Sequence, residues 1–155
     1  MQTEFCPECA GQVPARRATA DALIELYDDT GAYRGIVLIE RKNPPPGWAI
    51  PGGFLDPDED LAACAIREAR EETSLDVELA GLLGIYSAPG RDPRGLTVTA
   101  IYVARATGEP VADDDAKAVG IFQTDDLPEP LAFDHRAVLA DYRDFRAGKR
   151  TLGTP

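Results

Sequence analysis

The chain has 155 residues and a formal net charge of −11 at pH 7. This length suits one domain that buries about two-thirds of its unfolded surface and needs no disulfide or structural metal ion to remain folded. The acidic balance disfavours nonspecific binding to nucleic acid or to an anionic membrane. The N-terminus lacks the charged region and apolar stretch of a signal peptide. The chain also has no apolar run of about 18 residues, the length that a transmembrane helix needs. We therefore predict a soluble, cytoplasmic protein with no nucleic-acid or membrane partner.

The first predicted feature is a short cysteine motif, Cys6-Pro7-Glu8-Cys9, typical of half a zinc ribbon. A closed structural zinc site needs four ligands, and the chain has three cysteines and one histidine. Because Cys64 lies inside a predicted helix and His135 is far along the chain, we expect no zinc at Cys6 and Cys9. An odd cysteine number also gives no disulfide framework. We predict a knuckle remnant at 1–12, one domain at 13–150 and a frayed tail that includes 151–155.

A β-hairpin is predicted next, from two apolar runs at 18–27 and 35–41 with a turn cluster at 28–31 between them. Three prolines at 44–46 then form a stiff loop, because proline cannot donate to a ladder. This loop leads to Trp48. The ring could stack on a nucleotide base, but a tryptophan between a proline-rich loop and a strand more often packs in the core.

The most informative stretch is a glycine pair followed by a helix rich in carboxylates. Residues 61–72 contain good helix formers, and the acids Asp58 and Glu59 suit a helix N-terminus. At about 100° per residue, Glu68, Glu71 and Glu72 share an arc of about 100° that borders the apolar stripe. Such carboxylates either raise their pKa values or bind a cation, and Mg²⁺ prefers oxygen ligands. The alternative is a solvated face with ordinary ion pairs.

The spacing favours the metal site, because it fixes many identities over 23 residues from Gly53 to Leu75. Gly53, Glu59 and the run Arg67-Glu68-Ala69-Arg70-Glu71-Glu72 resemble the signature G-x5-E-x7-R-E-U-x-E-E-x-G-U of the Nudix hydrolases. Ser74 stands where the family has its last glycine. A non-glycine residue in the left-handed conformation at a helix end costs about 1 kcal/mol.

The resemblance implies an α/β/α sandwich and a set of site residues. It implies Mg²⁺ or Mn²⁺ as cofactor and the following roles. The catalytic residues are Glu68, Glu71, Glu72 and Arg67; the metal residues are Gly52, Glu59, Glu68, Glu71 and Glu72; the substrate-binding residues are Arg91, Arg94, Gly53 and Asp115.

Beyond the helix, a strand pair or one long bent strand is predicted at 75–88 with bends at Gly81 and Gly84, followed by a strand at 96–104. A further strand at 118–122 and a helix from about 135 to 147, with Asp134 as N-cap, complete the chain. With no repeated unit, this order indicates an α+β fold with a mixed sheet. An acid of the 113–115 loop, Asp114 or Asp115, could serve as a further ligand or base, or the loop could be a solubilising turn.

The substrate expectation depends on the segment Arg91-Asp92-Pro93-Arg94-Gly95, because arginine forks suit phosphate oxygens. The segment resembles the corresponding stretch of ADP-ribose pyrophosphatases in the Nudix family. The alternative is a solvated turn with an internal Arg–Asp pair. The likeness implies hydrolysis of ADP-ribose to AMP and ribose 5-phosphate, and a homodimer is common in that subgroup. The alternatives are a nucleoside triphosphate pyrophosphohydrolase acting on oxidised nucleotides and a noncatalytic nucleotide sensor.

Overall fold

The computed structural model describes residues 3–8, 11–113 and 115–155. Cys9 and the side chain of Cys6 lie outside this description, and so does Asp114. The strands are β1 (Thr3–Cys6), β2 (Gly11–Pro14), β3 (Arg17–Tyr27), β4 (Tyr33–Arg41), β5 (Trp48–Ala49), β6 (Gly52–Phe54), β7 (Glu78–Tyr86), β8 (Thr97–Thr107) and β9 (Ala116–Phe122). The helices are α1 (Leu61–Thr73) and α2 (His135–Arg146).

The main sheet is mixed and has β3 at its centre. Its strand order is β5-β4-β3-β8-β7, with β6 paired to β3 and β9 paired to β4. Strands β3 and β8 run parallel over the whole of β3, whereas β3 and β4 form the predicted antiparallel hairpin. The α+β class with a mixed sheet is confirmed.

The two helices cover opposite faces of this sheet because β3 alternates its side chains between them. Ala20, Ala22 and Ile24 pack in one core cluster with Ala65 and Ala69 of α1. Leu23 belongs instead to a second cluster that contains Val138 and Leu139 of α2. The result is the expected α/β/α sandwich.

Helix α1 buries one of its carboxylates, that of Glu72. Its buried residues are Cys64, Ala65, Ala69, Glu72 and Thr73, so the acidic arc does border the buried stripe. Burial raises the pKa of Cys64 to about 12, which fits a packing cysteine. Ile66, an apolar residue of the same helix, is 40% exposed and lies outside that stripe.

Both ends of α1 have an identifiable cap residue. The N-cap is Asp60, whose Oδ1 accepts a hydrogen bond from the Ala63 N–H at 2.8 Å, so the acids Asp58 and Glu59 precede the first turn of the helix. At the C-terminus Ser74 adopts the left-handed conformation, with φ 60° and ψ 14°. Ser74 therefore occupies the glycine geometry directly, without a shift of the cap.

Two further expectations concern the sheet edges. Register shifts in the β7–β8 ladder fall at Gly81 and Gly84, so the predicted bends are confirmed. The expectation of a frayed C-terminal tail is wrong, because Leu82 and Gly153 exchange backbone hydrogen bonds of 2.9 and 2.8 Å. That bridge covers part of the free edge of β7.

The aromatic ring of Trp48 packs in the core. It meets Phe122 edge-on with ring centroids 5.0 Å apart and contacts the α2-side cluster. Among the described residues, no helix has the length and apolar character needed to cross a membrane.

Candidate active site

A cleft of about 320 Å³ opens where the glycine pair of β6 meets β3, α1 and the start of α2. Its lining contains an acidic group of three side chains, Asp21, Glu68 and Glu72. It also contains a basic group of three side chains, Arg41, Arg91 and Arg94. Opposite charges on one surface suit a cation and an anion bound side by side.

Arg67 organises the carboxylates that flank the cleft. Its guanidinium donates to Glu59 at 2.6 and 2.9 Å, to Glu68 at 2.9 Å and to Glu71 at 3.1 Å. It also donates to the Phe54 carbonyl at 3.2 Å. The expected Arg67–Glu71 pair one turn apart is therefore present. Hydrogen bonding to Arg67 lowers the pKa of Glu59 to about 2, so Glu59 is ionised at neutral pH.

The five residues predicted to hold the metal therefore differ in their surroundings. Glu68 and Glu72 line the cleft, and so does Gly52. Glu59 and Glu71 instead turn to Arg67, and the side chain of Glu71 is 44% exposed. A ligand role for Glu59 and Glu71 stays a prediction.

Glu72 is the most deeply buried of these acids, with 4% of its surface exposed. Its Oε2 accepts a hydrogen bond from the Gly52 N–H at 3.0 Å. Burial raises the pKa of Glu72 to about 8, and the neighbouring carboxylates of Glu68 and Asp21 add to the effect. Burial also raises the pKa of Glu68, against the attraction of Arg67. Both carboxylates thus gain from a nearby cation.

Asp21 is a cleft residue that the sequence reasoning missed. It lies in β3, is 7% exposed, and faces His135, whose Nε2 is 3.4 Å from Asp21 Oδ2. The available signal was an aspartate inside a mostly apolar run, Ala18 to Tyr27. A charged residue in a buried strand is uncommon unless it is paired or functional.

Gly52 and Gly53 allow the backbone to pass close to these acids. A Cβ on Gly52 would lie 2.1 Å from Asp21 Oδ1, and a Cβ on Gly53 would lie 2.2 Å from Glu68 Oε1. The backbone thus passes close to the carboxylates of the acidic group, which repel one another when they are ionised. This chemistry fits a hard divalent cation, although no three His, Cys, Asp or Glu side chains of the described ranges converge into a finished metal cluster.

The basic group differs in how its members are held. Arg91 is 8% exposed and donates to both oxygens of Asp134, at 2.9 and 2.7 Å, and to the hydroxyls of Thr97 and Thr99. Asp134 precedes α2 as its N-cap residue, but its side chain makes no cap hydrogen bond. The predicted N-cap position is therefore confirmed, but the carboxylate does not cap the helix because it binds Arg91.

Arg94 and Arg41 are less buried than Arg91. Arg94 donates to Asp92 at 2.9 and 3.0 Å, which is the internal pair considered for this loop. Arg41 donates to the carbonyls of Pro45 and Pro44 at 2.9 and 3.4 Å. Burial lowers the pKa of Arg41, and the positive charge of Arg94 adds to the effect. Two facing cations in an acidic chain indicate an anion site, and the sequence reasoning had missed Arg41.

Two phenylalanine rings accompany these cations. Arg94 lies 5.0 Å from the ring centroids of both Phe54 and Phe133, and Arg41 lies 4.8 Å from that of Phe133. Phe133 has φ 55°, an uncommon conformation for a residue with a side chain. At the rim, Asp115 Oδ1 accepts a hydrogen bond from Asn43 at 3.2 Å, so this predicted substrate residue does border the cleft.

Comparison with known proteins identifies the family. A NUDIX domain model matches residues 16–142. The chain belongs to the Nudix family. This Nudix hydrolase is 41% identical over 116 residues to an ADP-ribose pyrophosphatase of Methanocaldococcus jannaschii, which covers 73% of this chain and 68% of that protein.

Two other similar proteins are described with ADPR or ADP ribose. The chain is 36% identical over 135 residues to the ADPR responsive transcriptional repressor NtrR of Acinetobacter baylyi, covering 81% of this chain and 52% of the repressor. The chain therefore spans about half of that relative. The NUDIX domain of Shewanella oneidensis NrtR, solved in complex with ADP ribose, matches with a TM-score of 0.71 and 26% identity over 92% of this chain and 94% of that one.

Proposed function

We propose that this Nudix hydrolase cleaves the pyrophosphate bond of a nucleoside diphosphate linked to a sugar, with ADP-ribose as the main substrate and AMP and ribose 5-phosphate as products. The observation that carries the proposal is the meeting of the acidic group and the basic group in one cleft. A diphosphate needs cations on its oxygens, and a base or sugar beside it needs an apolar surface. Phe54 and Phe133 supply that surface.

Glu68 and Glu72 would hold Mg²⁺ or Mn²⁺, with Gly52, Glu71 and Glu59 as the further positions that the family motif implies. Once bound, the ion would neutralise phosphate oxygens and lower the pKa of a bound water. Arg67 keeps the glutamates together, because it bonds three of them at once. It acts on the orientation of the carboxylates and not on the reacting atoms.

The chain's other cleft residues would orient the substrate. Arg41 and Arg94 present guanidinium groups that can each bind a phosphate oxygen pair. Arg91 is buried and uses all three of its guanidinium nitrogens on Asp134, Thr97 and Thr99, so we assign it to shaping the wall rather than to direct phosphate contact. The proton of the attacking water would pass to a carboxylate oxygen of Glu68 or Glu72, the two glutamates of the family motif that line the cleft.

The test is Mg²⁺-dependent hydrolysis of ADP-ribose, NADH, diadenosine polyphosphates and 8-oxo-dGTP, assayed side by side with product identification. We expect ADP-ribose to give AMP and ribose 5-phosphate. The variant Glu72→Gln should lose about 100-fold or more in turnover with the fold intact. Glu78→Gln, at an exposed acid on β7 away from the cleft, is the matched control and should keep wild-type activity.

Two outcomes would replace this proposal. Release of pyrophosphate with a nucleoside monophosphate from 8-oxo-dGTP as the preferred reaction indicates a nucleotide sanitiser. Tight binding of ADP-ribose without turnover indicates a sensor, the role that the repressor relative's name describes. Homodimerisation and a cytoplasmic location stay predictions of the sequence.

A further inference from the structure

Three consecutive residues at the start of α2 contact three separate parts of the cleft. The ring of Phe133 meets Arg41 and Arg94. The carboxylate of Asp134 binds Arg91. The imidazole of His135, which is 2% exposed, contacts β3 and the segment that leads into the glycine pair. The start of α2 therefore contacts the walls of the cleft that lie outside the sequence motif of α1.

His135 uses both of its ring nitrogens in this arrangement. The Ile50 N–H donates to His135 Nδ1 at 3.1 Å, so Nδ1 carries the lone pair. In the neutral ring the proton is then on Nε2, which faces Asp21 Oδ2 at 3.4 Å. One imidazole thus joins α2 to the sheet on one side and to the glycine loop on the other.

Both contacts lead directly to the acidic group. Ile50 is two residues before Gly52, whose N–H donates to Glu72. Asp21 lines the cleft, and its Oδ1 is close enough to the Gly52 backbone to exclude a Cβ there. A shift of the imidazole would therefore move Asp21 and the Gly52 backbone relative to each other, and with them the oxygen donors that face the cleft.

We propose that His135 is a positioning residue of the active site, which fixes Asp21 and the Ile50–Gly52 backbone in the geometry that cation binding and hydrolysis require. This inference rests on the proposed function. His135 does not touch the substrate in this role, and acts only through the two groups that it holds. Residues that orient metal-binding groups typically account for about 10- to 100-fold in metal affinity or activity.

Two substitutions separate the two contacts. In His135→Asn, the side chain is shorter. Its amide oxygen can still accept a hydrogen bond from the Ile50 N–H at the position of Nδ1, but the donor that faces Asp21 is lost. In His135→Gln, the longer amide can reach Asp21 but no longer presents an acceptor at the place of Nδ1. Val138→Ala is the control, because Val138 is fully buried on the same helix and does not line the cleft.

The measurements are kcat and KM for ADP-ribose, the Mg²⁺ concentration for half-maximal activity, and the rise in melting temperature that Mg²⁺ produces without substrate. We expect both His135 variants to lose 10- to 100-fold in kcat/KM, mainly in kcat. We also expect a smaller Mg²⁺-induced rise in melting temperature than in the wild type. Val138→Ala should lower the melting temperature and leave kcat and the Mg²⁺ response unchanged.

Wild-type kcat and an unchanged Mg²⁺ response in either folded His135 variant would overturn the inference. So would an equal loss of kcat in Val138→Ala at equal stability, since that result assigns His135 to the core alone. If the wild type hydrolyses none of the substrates, the proposed function fails. The Mg²⁺-induced change in melting temperature then still decides whether His135 positions the acidic group.

Discussion

Replacing Glu72 by glutamine should stabilise the metal-free protein at alkaline pH while it lowers turnover about 100-fold or more. Glu72 has a pKa raised from an ordinary 4.5 to about 8, mainly because burial removes water from its carboxylate. The folded state therefore holds a proton on Glu72 that the unfolded chain releases above about pH 4.5. Stability is highest below that pH and falls as the pH rises toward 8.

The size of the effect follows from one proton. Each pH unit between the two pKa values changes the free energy of unfolding by about 1.4 kcal/mol. The whole interval from 4.5 to about 8 then corresponds to at most about 5 kcal/mol. Glutamine does not titrate, and its amide oxygen can still accept the Gly52 N–H. The difference in stability between variant and wild type should thus grow steadily from pH 5 to about pH 8.

The assay is urea unfolding at several pH values in EDTA, followed by the same series with Mg²⁺. We expect Glu72→Gln to be the more stable protein at pH 8 in EDTA, and Mg²⁺ to stabilise the wild type more than the variant. The difference curve reports Glu72 together with its electrostatic coupling to Glu68 and Asp21, because the remaining titrating groups are common to both proteins. Parallel curves, with no pH dependence in their difference, would refute the reasoning.

Three further substitutions test other parts of the structure. Ser74→Gly should stabilise the protein by about 1 kcal/mol in urea unfolding, because it relieves the left-handed strain at the end of α1, and Ser74→Ala should not. Arg41→Ala should raise KM for ADP-ribose about 10-fold or more, since it removes a charge-assisted phosphate contact, and an unchanged KM would exclude Arg41 from the substrate site. Gly53→Ala should lower kcat about 10-fold or more in steady-state assays, because its methyl group would displace Glu68; wild-type kcat would show that the carboxylate can move without loss.

Local patterns predicted α1 well. The spacing of Glu68, Glu71 and Glu72 indicated a face beside the buried stripe, and Glu72 is buried there. The family motif placed the end of α1 at Ser74 and left open a left-handed serine or a shifted cap, and φ is positive at that position. Both features depend on residues that are close together in the sequence. The helical repeat and the rules for helix ends can therefore predict them.

The contacts that escaped prediction join residues far apart in the chain. Asp134 was expected to cap its own helix, but the buried guanidinium of Arg91 binds it instead. Asp21 and His135 meet across more than 100 residues, and no periodicity connects them. Gly153 pairs with Leu82 because a free sheet edge offers unpaired backbone groups. The motif thus located one wall of the cleft, and the tertiary fold supplied the others.

The most direct test of the account is a crystal of the protein soaked with Mn²⁺ and ADP-ribose, with the ion located by its anomalous scattering. The account predicts a manganese peak bonded to carboxylate oxygens of Glu68 and Glu72, with the diphosphate between that ion and the guanidinium groups of Arg41 and Arg94. Manganese bound elsewhere, with Glu68 and Glu72 directed away from both ion and phosphate, would contradict it.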